Sequence, residues 1–348
     1  MTASASTPAS APDRWLASTP EGLYCIPGDF HIDPHHGVER AVITHGHSDH
    51  ARAGSAHVLA TAETLAILCR RLGEGAGGVL QAAAYGETLR IGEVSVRLVP
   101  AGHVLGSAQV VLDYKGSRVV VSGDYKRRPD PTCPPFEVVP CDVFVTEATF
   151  GLPVFRHPPA LHEIDKILHA QRLYPERAIL VGAYALGKCQ RVLLLLRERG
   201  FDGPIWLHGA LASMCALYTE FGFDFGDLRS ATGVPREALK GQIVLAPPGA
   251  VADLWARRLP DPVIGLASGW MGVRQRARQR GVELPLIISD HADWDELTRT
   301  LDEVQAPEIW ITHGSEEGLS RHVALTGRRA RALSLIGFEG DGFDGEGE

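Results

Sequence analysis

The apolar residues of this chain fall into two rhythms. Between residues 41 and 147 they mostly alternate with polar ones or form short blocks. Val94, Val96 and Leu98 alternate with Ser95 and Arg97, the pattern of a strand with one face buried. Residues 109–114 and 118–122 are β-rich runs around Lys115-Gly116-Ser117, a hairpin signal. Residues 142–146 read as another strand, and one helix, 62–72, interrupts the series. From about Leu161 the spacing changes. Helices are predicted at 161–173, 187–200, 211–221 and 252–258, with short apolar strands at 177–182, 204–207, 243–246 and 263–267 between them. Strands alternating with helices imply parallel βαβ units. A strand at 284–288, a helix at 293–304 and a strand at 308–312 close the pattern.

The 348 residues are 45% hydrophobic, enough for a large core and for two domains. No run of eighteen apolar residues occurs, so no membrane-spanning helix is expected. Residues 1–13 lack the basic start and apolar stretch of a signal peptide and read as a disordered leader; 338–348 read as an acidic tail. The six cysteines form no Cys-x-x-Cys pair and suit a reduced, cytoplasmic protein rather than a disulfide framework or a structural zinc site. A net charge of −8 counts against a broad duplex-binding surface, since phosphate contacts need Lys and Arg. The tail supplies five of the negative charges, and bound cations would make a cleft locally positive. A narrow groove for one nucleic-acid strand therefore stays open.

The chemistry is concentrated in Thr44-His45-Gly46-His47-Ser48-Asp49-His50, directly after the apolar run 41–43. Three imidazoles and a carboxylate in six positions are not a packing pattern. In an extended segment side chains two apart point the same way, so His45 and His47 can grip one ion. Asp49 and His50, at the turn that follows, can face a second. Three further positions are ligand types at predicted strand ends: His103, Asp124 and His313, each beside a glycine that permits a sharp backbone turn. A carboxylate can bridge two ions, which makes Asp124 the bridging candidate. One metal then takes His45, His47, His103 and Asp124; the other takes Asp49, His50, Asp124 and His313. This nitrogen and oxygen mix suits Zn²⁺, with Mn²⁺ as the alternative. Two such ions supply a nucleophile from water and neutralise phosphate charge. His31, His35 and His36 read as loop residues.

Three segments, Thr-His-Gly-His-Ser-Asp-His, Ala101-Gly102-His103-Val104-Leu105-Gly106-Ser107 and Ser122-Gly123-Asp124-Tyr125, resemble the metal motifs of the metallo-β-lactamase-fold nucleases of the β-CASP group. That group includes the endonuclease of mRNA 3′-end formation, prokaryotic RNases and Artemis-type DNA nucleases. The likeness runs from about Trp15 to Leu335. Thr146-Glu147-Ala148-Thr149-Phe150-Gly151, Ser289-Asp290-His291-Ala292-Asp293 and Thr312-His313-Gly314 resemble the three motifs of the β-CASP insert. Tyr184-Ala185-Leu186-Gly187-Lys188-Cys189-Gln190 is similar to its helix-opening segment. The chain looks most like the bacterial ligase-associated DNA exonuclease subfamily.

The resemblance implies an α/β fold: an αββα sandwich with an inserted Rossmann-like βα domain. The expected division is 14–155 and 285–337 for the sandwich and 156–284 for the insert. It implies a phosphodiester hydrolase with Asp49, Glu147 and His291 as catalytic residues. Glu147 and His291 would form a pair at the leaving group, since a carboxylate beside an imidazole raises its pKa and orients it to donate a proton. Ser107, Lys188 and Ser268 are candidate phosphate contacts, and the helix opening near Gly187 offers backbone N–H groups. Residues 274–280 hold four arginines, either a nucleic-acid patch or a solvated face. The subfamily likeness implies single-stranded DNA or DNA ends as substrate and a link to a DNA ligase. His at the third insert motif is commoner in RNA-directed members, so RNA maturation is the alternative, and an inactive strand-binding scaffold a further one.

Overall fold

The computed structural model describes residues 11–333, so most of the expected leader and all of the acidic tail lie outside the described residues. The chain divides into two compact units. The described part of the first comprises 11–129, 133–154 and 292–333; the second comprises 130–132 and 155–291.

The first unit opens with β1 (Leu16–Thr19), β2 (Gly22–Cys25), β3 (Phe30–Ile32), β4 (Arg40–Val42) and β5 (His57–Ala60). The helix α1 (Ala62–Leu72) and β6 (Val79–Ala82) follow. Then come β7 (Thr88–Ile91), β8 (Val94–Pro100), β9 (Ala108–Tyr114), β10 (Ser117–Val121) and β11 (Val143–Ala148). The second unit contributes α2 (Ala160–Leu173), β12 (Ile179–Gly182), α3 (Lys188–Glu198), β13 (Ile205–Leu207), α4 (Gly209–Glu220) and β14 (Leu228–Ser230). It continues through β15 (Ile243–Ala246), α5 (Pro248–Val251), β16 (Val263–Ala267), α6 (Arg274–Gln279) and β17 (Leu284–Leu286). The chain returns to the first unit with α7 (Trp294–Val304), β18 (Glu308–Gly314), α8 (Glu316–Leu325) and β19 (Arg329–Ala332).

Two sheets make the first unit. One has the order β1-β2-β3-β4-β5-β6; the other has β19-β18-β11-β10-β9-β8-β7. Period-two alternation decides which side chains go where. Val119 and Val121 of β10, Val143 and Val145 of β11 and Trp310 of β18 join the core shared with Phe30, Ile32 and Val42 of the first sheet. Their neighbours Val120, Phe144, Ile309 and Ile311 face the other way, onto Leu297, Leu301 and Val304 of α7 and Leu319 and Val323 of α8. The spacing 297, 301, 304 is one helical stripe. On the outer face of the first sheet, Leu65 and Leu68 of α1 cover Ala41, Ile43 and Val58. The layers are therefore αββα, with the βα unit inserted in the chain.

The second unit is one all-parallel sheet, ordered β14-β13-β15-β12-β16-β17. Its central strands β12 and β15 are wholly buried, as a strand covered on both faces must be.

Three expectations are corrected. No helix spans 252–258: Pro248 starts α5 earlier, Asp253 turns its carboxylate onto the Leu254 N–H at 2.5 Å, and only a short 3₁₀ turn, Ala256–Arg258, follows. His31 lies in β3, not in a loop. The run 44–50 is a turn-rich loop after β4 rather than an extended segment, with the Ala51 N–H donating to the His47 carbonyl at 2.8 Å. Among the described residues no helix is long and apolar enough to cross a membrane.

Candidate metal centre

The side chains that converge in the first unit all stand at carboxyl ends of strands. His45, His47 and His50 follow β4, His103 follows β8, Asp124 follows β10, and His313 is near the end of β18. Because β10, β11 and β18 are parallel neighbours, these ends lie at one rim. Gly102 and Gly123 make the last turns before His103 and Asp124. Both have positive φ, +75° and +54°, and a Cβ on Gly123 would press on the Thr44 side chain at 2.7 Å.

Asp124 is the hub. Its Oδ2 lies 3.5 Å from His45 Nε2, 3.4 Å from His50 Nε2 and 3.8 Å from His103 Nε2; its Oδ1 lies 3.2 Å from His313 Nε2. His47 Nδ1 sits 3.1 Å from His45 Nε2 and 3.0 Å from His103 Nε2. Two ligand-type groups result, His45/His47/His103/Asp124 and His50/Asp124/His313, each with donor atoms within 4.8 Å of one another. Asp49 stands beside the second group, with Oδ2 3.7 Å from His50 Nε2.

The far sides of the rings explain their aim. Thr44 Oγ1 donates to Asp33 Oδ2 at 2.6 Å, so at 3.0 Å it accepts from His45 Nδ1. His50 Nδ1 donates to the same Asp33 oxygen at 2.8 Å. Thr312 Oγ1 donates to the Thr146 carbonyl at 3.2 Å and accepts from His313 Nδ1 at 2.9 Å. This network assigns the ring proton to Nδ1 in all three, which leaves the Nε2 lone pairs turned toward Asp124. Burial, then the neighbouring His50, hold His45 well below its ordinary pKa, in the neutral form that can ligate. Burial also pulls on His50, but the Asp124 and Asp49 carboxylates outweigh it and raise that ring well above the ordinary value; a cation in the group opposes that rise. Three imidazoles and a carboxylate in the first group, and two imidazoles with Asp124 in the second, fit divalent metals of the zinc type.

Asp33 was not singled out by the sequence. It is 4% exposed, adopts a positive φ of +45°, and accepts from the Thr44 backbone N–H at 2.8 Å as well as from Thr44 Oγ1 and His50. One carboxylate thus orients two rings. Replacing it with Asn keeps the shape but loses the charge and puts a donor where acceptors are needed. We expect Asp33→Asn to lower metal affinity by about 10–100-fold, read by competition with a chromogenic chelator; an unchanged affinity would show that the rings need no such anchor. Glu296 was also missed. At the start of α7 it accepts from the backbone N–H groups of Arg127 and Arg128 at 3.1 and 2.6 Å, which tethers the chain just beyond Asp124.

The other expected site residues divide between the units. Glu147, 1% exposed on β11, accepts from the Tyr125 N–H at 2.8 Å and from Thr149 Oγ1 at 2.5 Å. Ser107 is buried and accepts from the N–H groups of His103 and Val104 at 3.0 and 3.2 Å, so it holds the His103 loop instead of presenting a hydroxyl to a phosphate. Lys188, Ser268 and His291 belong to the second unit. Lys188 is 2% exposed and pairs with Asp290 at 3.2 Å, so it is neither a solvated helix residue nor a free cation. Ser268 accepts from the Trp270 N–H at 3.3 Å at the start of a 3₁₀ turn. His291 is the last residue of the second unit, and its N–H donates to Ser289 Oγ at 3.0 Å.

No family model matches the chain. Individual relatives do. A probable DNA ligase of Opitutus terrae is 27% identical over 324 residues, which is 92% of this chain and 31% of that protein. Subunit 3 of the cleavage and polyadenylation specificity factor of Dictyostelium discoideum is 24% identical over 68% of this chain and 37% of its own length. A ribonuclease of Thermus thermophilus is 28% identical over 76% of this chain and 73% of its own. The chain is similar to metallo-β-lactamase-fold β-CASP nucleases. It spans only about a third of the length of the first two of these proteins. The crystal structure of a protein of unknown function from Enterococcus faecalis V583 matches with a TM-score of 0.56 at 15% identity, over 84% of this chain and 79% of that one, a likeness of fold. In a β-CASP relative, the αββα layers and the inserted parallel unit are the expected parts.

Proposed function

We propose that this chain is a metal-dependent phosphodiesterase acting on nucleic acid, a DNA exonuclease that trims ends for repair and attacks from the 5′ end. The observation that carries the reading is the convergence of four imidazole nitrogens within 3.8 Å of the two Asp124 oxygens. One metal would take His45, His47, His103 and Asp124; a second would take Asp49, His50, Asp124 and His313, with Zn²⁺ preferred and Mn²⁺ the alternative. Such ions, when bound, generate a nucleophile from water and neutralise charge on phosphate oxygens. The protein's own part is to fix those donors. Asp33, Thr44 and Thr312 hold ring protons at Nδ1, and Asp124 presents Oδ2 to His45, His50 and His103 and Oδ1 to His313.

In this reading a water oxygen bonds to phosphorus as the P–O3′ bond breaks. The products are a 5′-phosphate and a 3′-hydroxyl, and the departing oxygen takes a proton. His291 is the proposed donor of that proton, and Glu147 the proposed carboxylate of the leaving-group side.

The DNA assignment is supported by the Opitutus terrae relative, whose name is that of a DNA ligase. An RNase is the second reading, favoured by the relatives named ribonuclease and endoribonuclease. Digestion of 5′- and 3′-labelled oligomers, as DNA and as RNA, with Zn²⁺ or Mn²⁺ separates the two. The expected result is stepwise loss from the 5′ end of DNA. A strong preference for RNA moves the assignment to the second reading, and an uncut set of oligomers overturns both.

A further inference from the structure

We propose that α6 of the second unit is a docking surface for the phosphate backbone of a single-stranded nucleic acid, gripped by Arg274, Arg276 and Arg278. The proposal rests on the nuclease reading above and names a part of the surface that the metal centre does not include.

The first ground is local charge. The chain carries a net −8, yet residues 262–282 hold four arginines and no acidic residue. The second ground is what these arginines do. Some arginines elsewhere are matched to carboxylates, as in Arg40–Asp29, Arg118–Asp113 and Arg229–Asp227, and others, such as Arg52, Arg90 and Arg172, are exposed singly and not gathered in one run. Arg274, Arg276 and Arg278 are exposed and, among the described residues, none of them forms an ion pair. Arg274 and Arg278 are four apart, on one face of the helix, where like charges repel. Arg274 also sits in the first turn, the end where the helix dipole disfavours a cation. The local fold therefore carries repulsion that an anion would relieve.

The third ground is preorganisation. The Arg276 guanidinium lies over the Trp270 ring, 4.2 Å from its centre, and Trp270 is braced edge-on by Phe155 at 5.0 Å. A stacked guanidinium is held in place with its N–H fork at the rim, ready for two phosphate oxygens. Arg274 and Arg278 on one face, with Arg276 turned from them and held over Trp270, spread three cations around the short helix, an arrangement for successive phosphates of a strand passing over it rather than for a single small anion. Base identity is not read by such contacts, which position a strand without specifying it.

The test replaces the three residues together, Arg274→Gln, Arg276→Gln and Arg278→Gln. Glutamine keeps helix propensity, and all three positions are exposed. Binding of a fluorescent single-stranded DNA 20-mer is measured by anisotropy in EDTA across a KCl series, for wild type and variant. Each phosphate contact to a single strand contributes about −0.7 to the slope of log K against log [salt], so the variant's slope should be shallower by about 2. Its Kd at 0.1 M KCl should rise at least about tenfold. Hydrolysis of bis(p-nitrophenyl) phosphate with added metal should stay unchanged, because that diester is too small to span the patch. Equal slopes and affinities in the two proteins overturn the proposal. So does loss of binding to phosphatidylserine vesicles with strand binding intact, which assigns the arginines to a lipid headgroup. A wild type that binds strands with the expected slope difference, but hydrolyses neither diester nor strand, removes the nuclease reading and leaves the docking surface standing.

Discussion

Asp124→Asn lowers kcat/KM for strand cleavage by about 10³-fold or more, while the protein stays folded. The carboxylate is 3% exposed and, among the described residues, is the only one in both candidate metal groups, Oδ2 toward His45, His50 and His103 and Oδ1 toward His313. Asparagine is nearly isosteric, so packing is kept. It removes one negative charge and one acceptor, and its amide N–H groups point at ring nitrogens that the network has left as acceptors. Metal catalysis is worth several kcal/mol of transition-state stabilisation, and about 4 kcal/mol corresponds to about 10³ in rate. Steady-state cleavage of a labelled oligomer measures the ratio, with circular dichroism as the folding control. Activity within tenfold of wild type would mean that the two groups work without a shared carboxylate.

The second large effect falls on stability rather than chemistry. Asp290→Ala destabilises the second unit by about 3–5 kcal/mol. Asp290 is 3% exposed and faces Lys188 Nζ at 3.2 Å and Arg191 at 3.0 Å. Arg191 also pairs with Asp130 and donates to the Ser289 carbonyl. Two buried cations and two buried anions thus balance, and all four lie in the second unit. Removing one anion leaves a net positive charge out of water. Hydrogen exchange under native conditions reads the result locally. Peptides covering β12 and α3 should lose most of their protection in Asp290→Ala. Protection matching wild type there would show that Lys188 and Arg191 find other partners. The same network fixes the segment 289–291 that ends in His291, since Arg191 binds its first residue and both cations bind its second.

The converging residues were legible because the chain gathers them. Three histidines and an aspartate lie within six positions, and His103, Asp124 and His313 each follow an apolar run beside a glycine. The large sheet of the first unit was legible for a similar reason. Its Val-rich strands run over five to seven residues, with alternation in β8 and continuous apolar runs in β9 and β10, long enough to be seen. The small strands β1, β2 and β3 carry only three or four residues, too few for a pattern. β6 and β19 are exposed along their whole length and have only four residues each, too few for one face to show.

Asp33 was invisible for a different reason. Its role depends on the parallel pairing of β3 with β4, which sets Ile32 opposite Val42 and so brings Asp33 to Thr44. Nothing in His31-Ile32-Asp33-Pro34 announces that neighbour. The burial of Lys188 was hidden for the same cause. At the start of a helix a lysine is ordinarily solvated, and only a partner 102 positions later in the chain, Asp290, allows it to be buried. Ser107 shows the limit of motif reading from the other side. The resemblance marks the segment, but only the structure assigns its hydroxyl to the N–H groups of His103 and Val104.

The proposed chemistry needs cations held by side chains that span positions 45 to 313. Elemental analysis of the protein purified without chelator, after dialysis into zinc-buffered solution, tests it most directly. The predicted result is about two equivalents of divalent metal per chain. A protein that retains no stoichiometric metal under those conditions would contradict the account at its root.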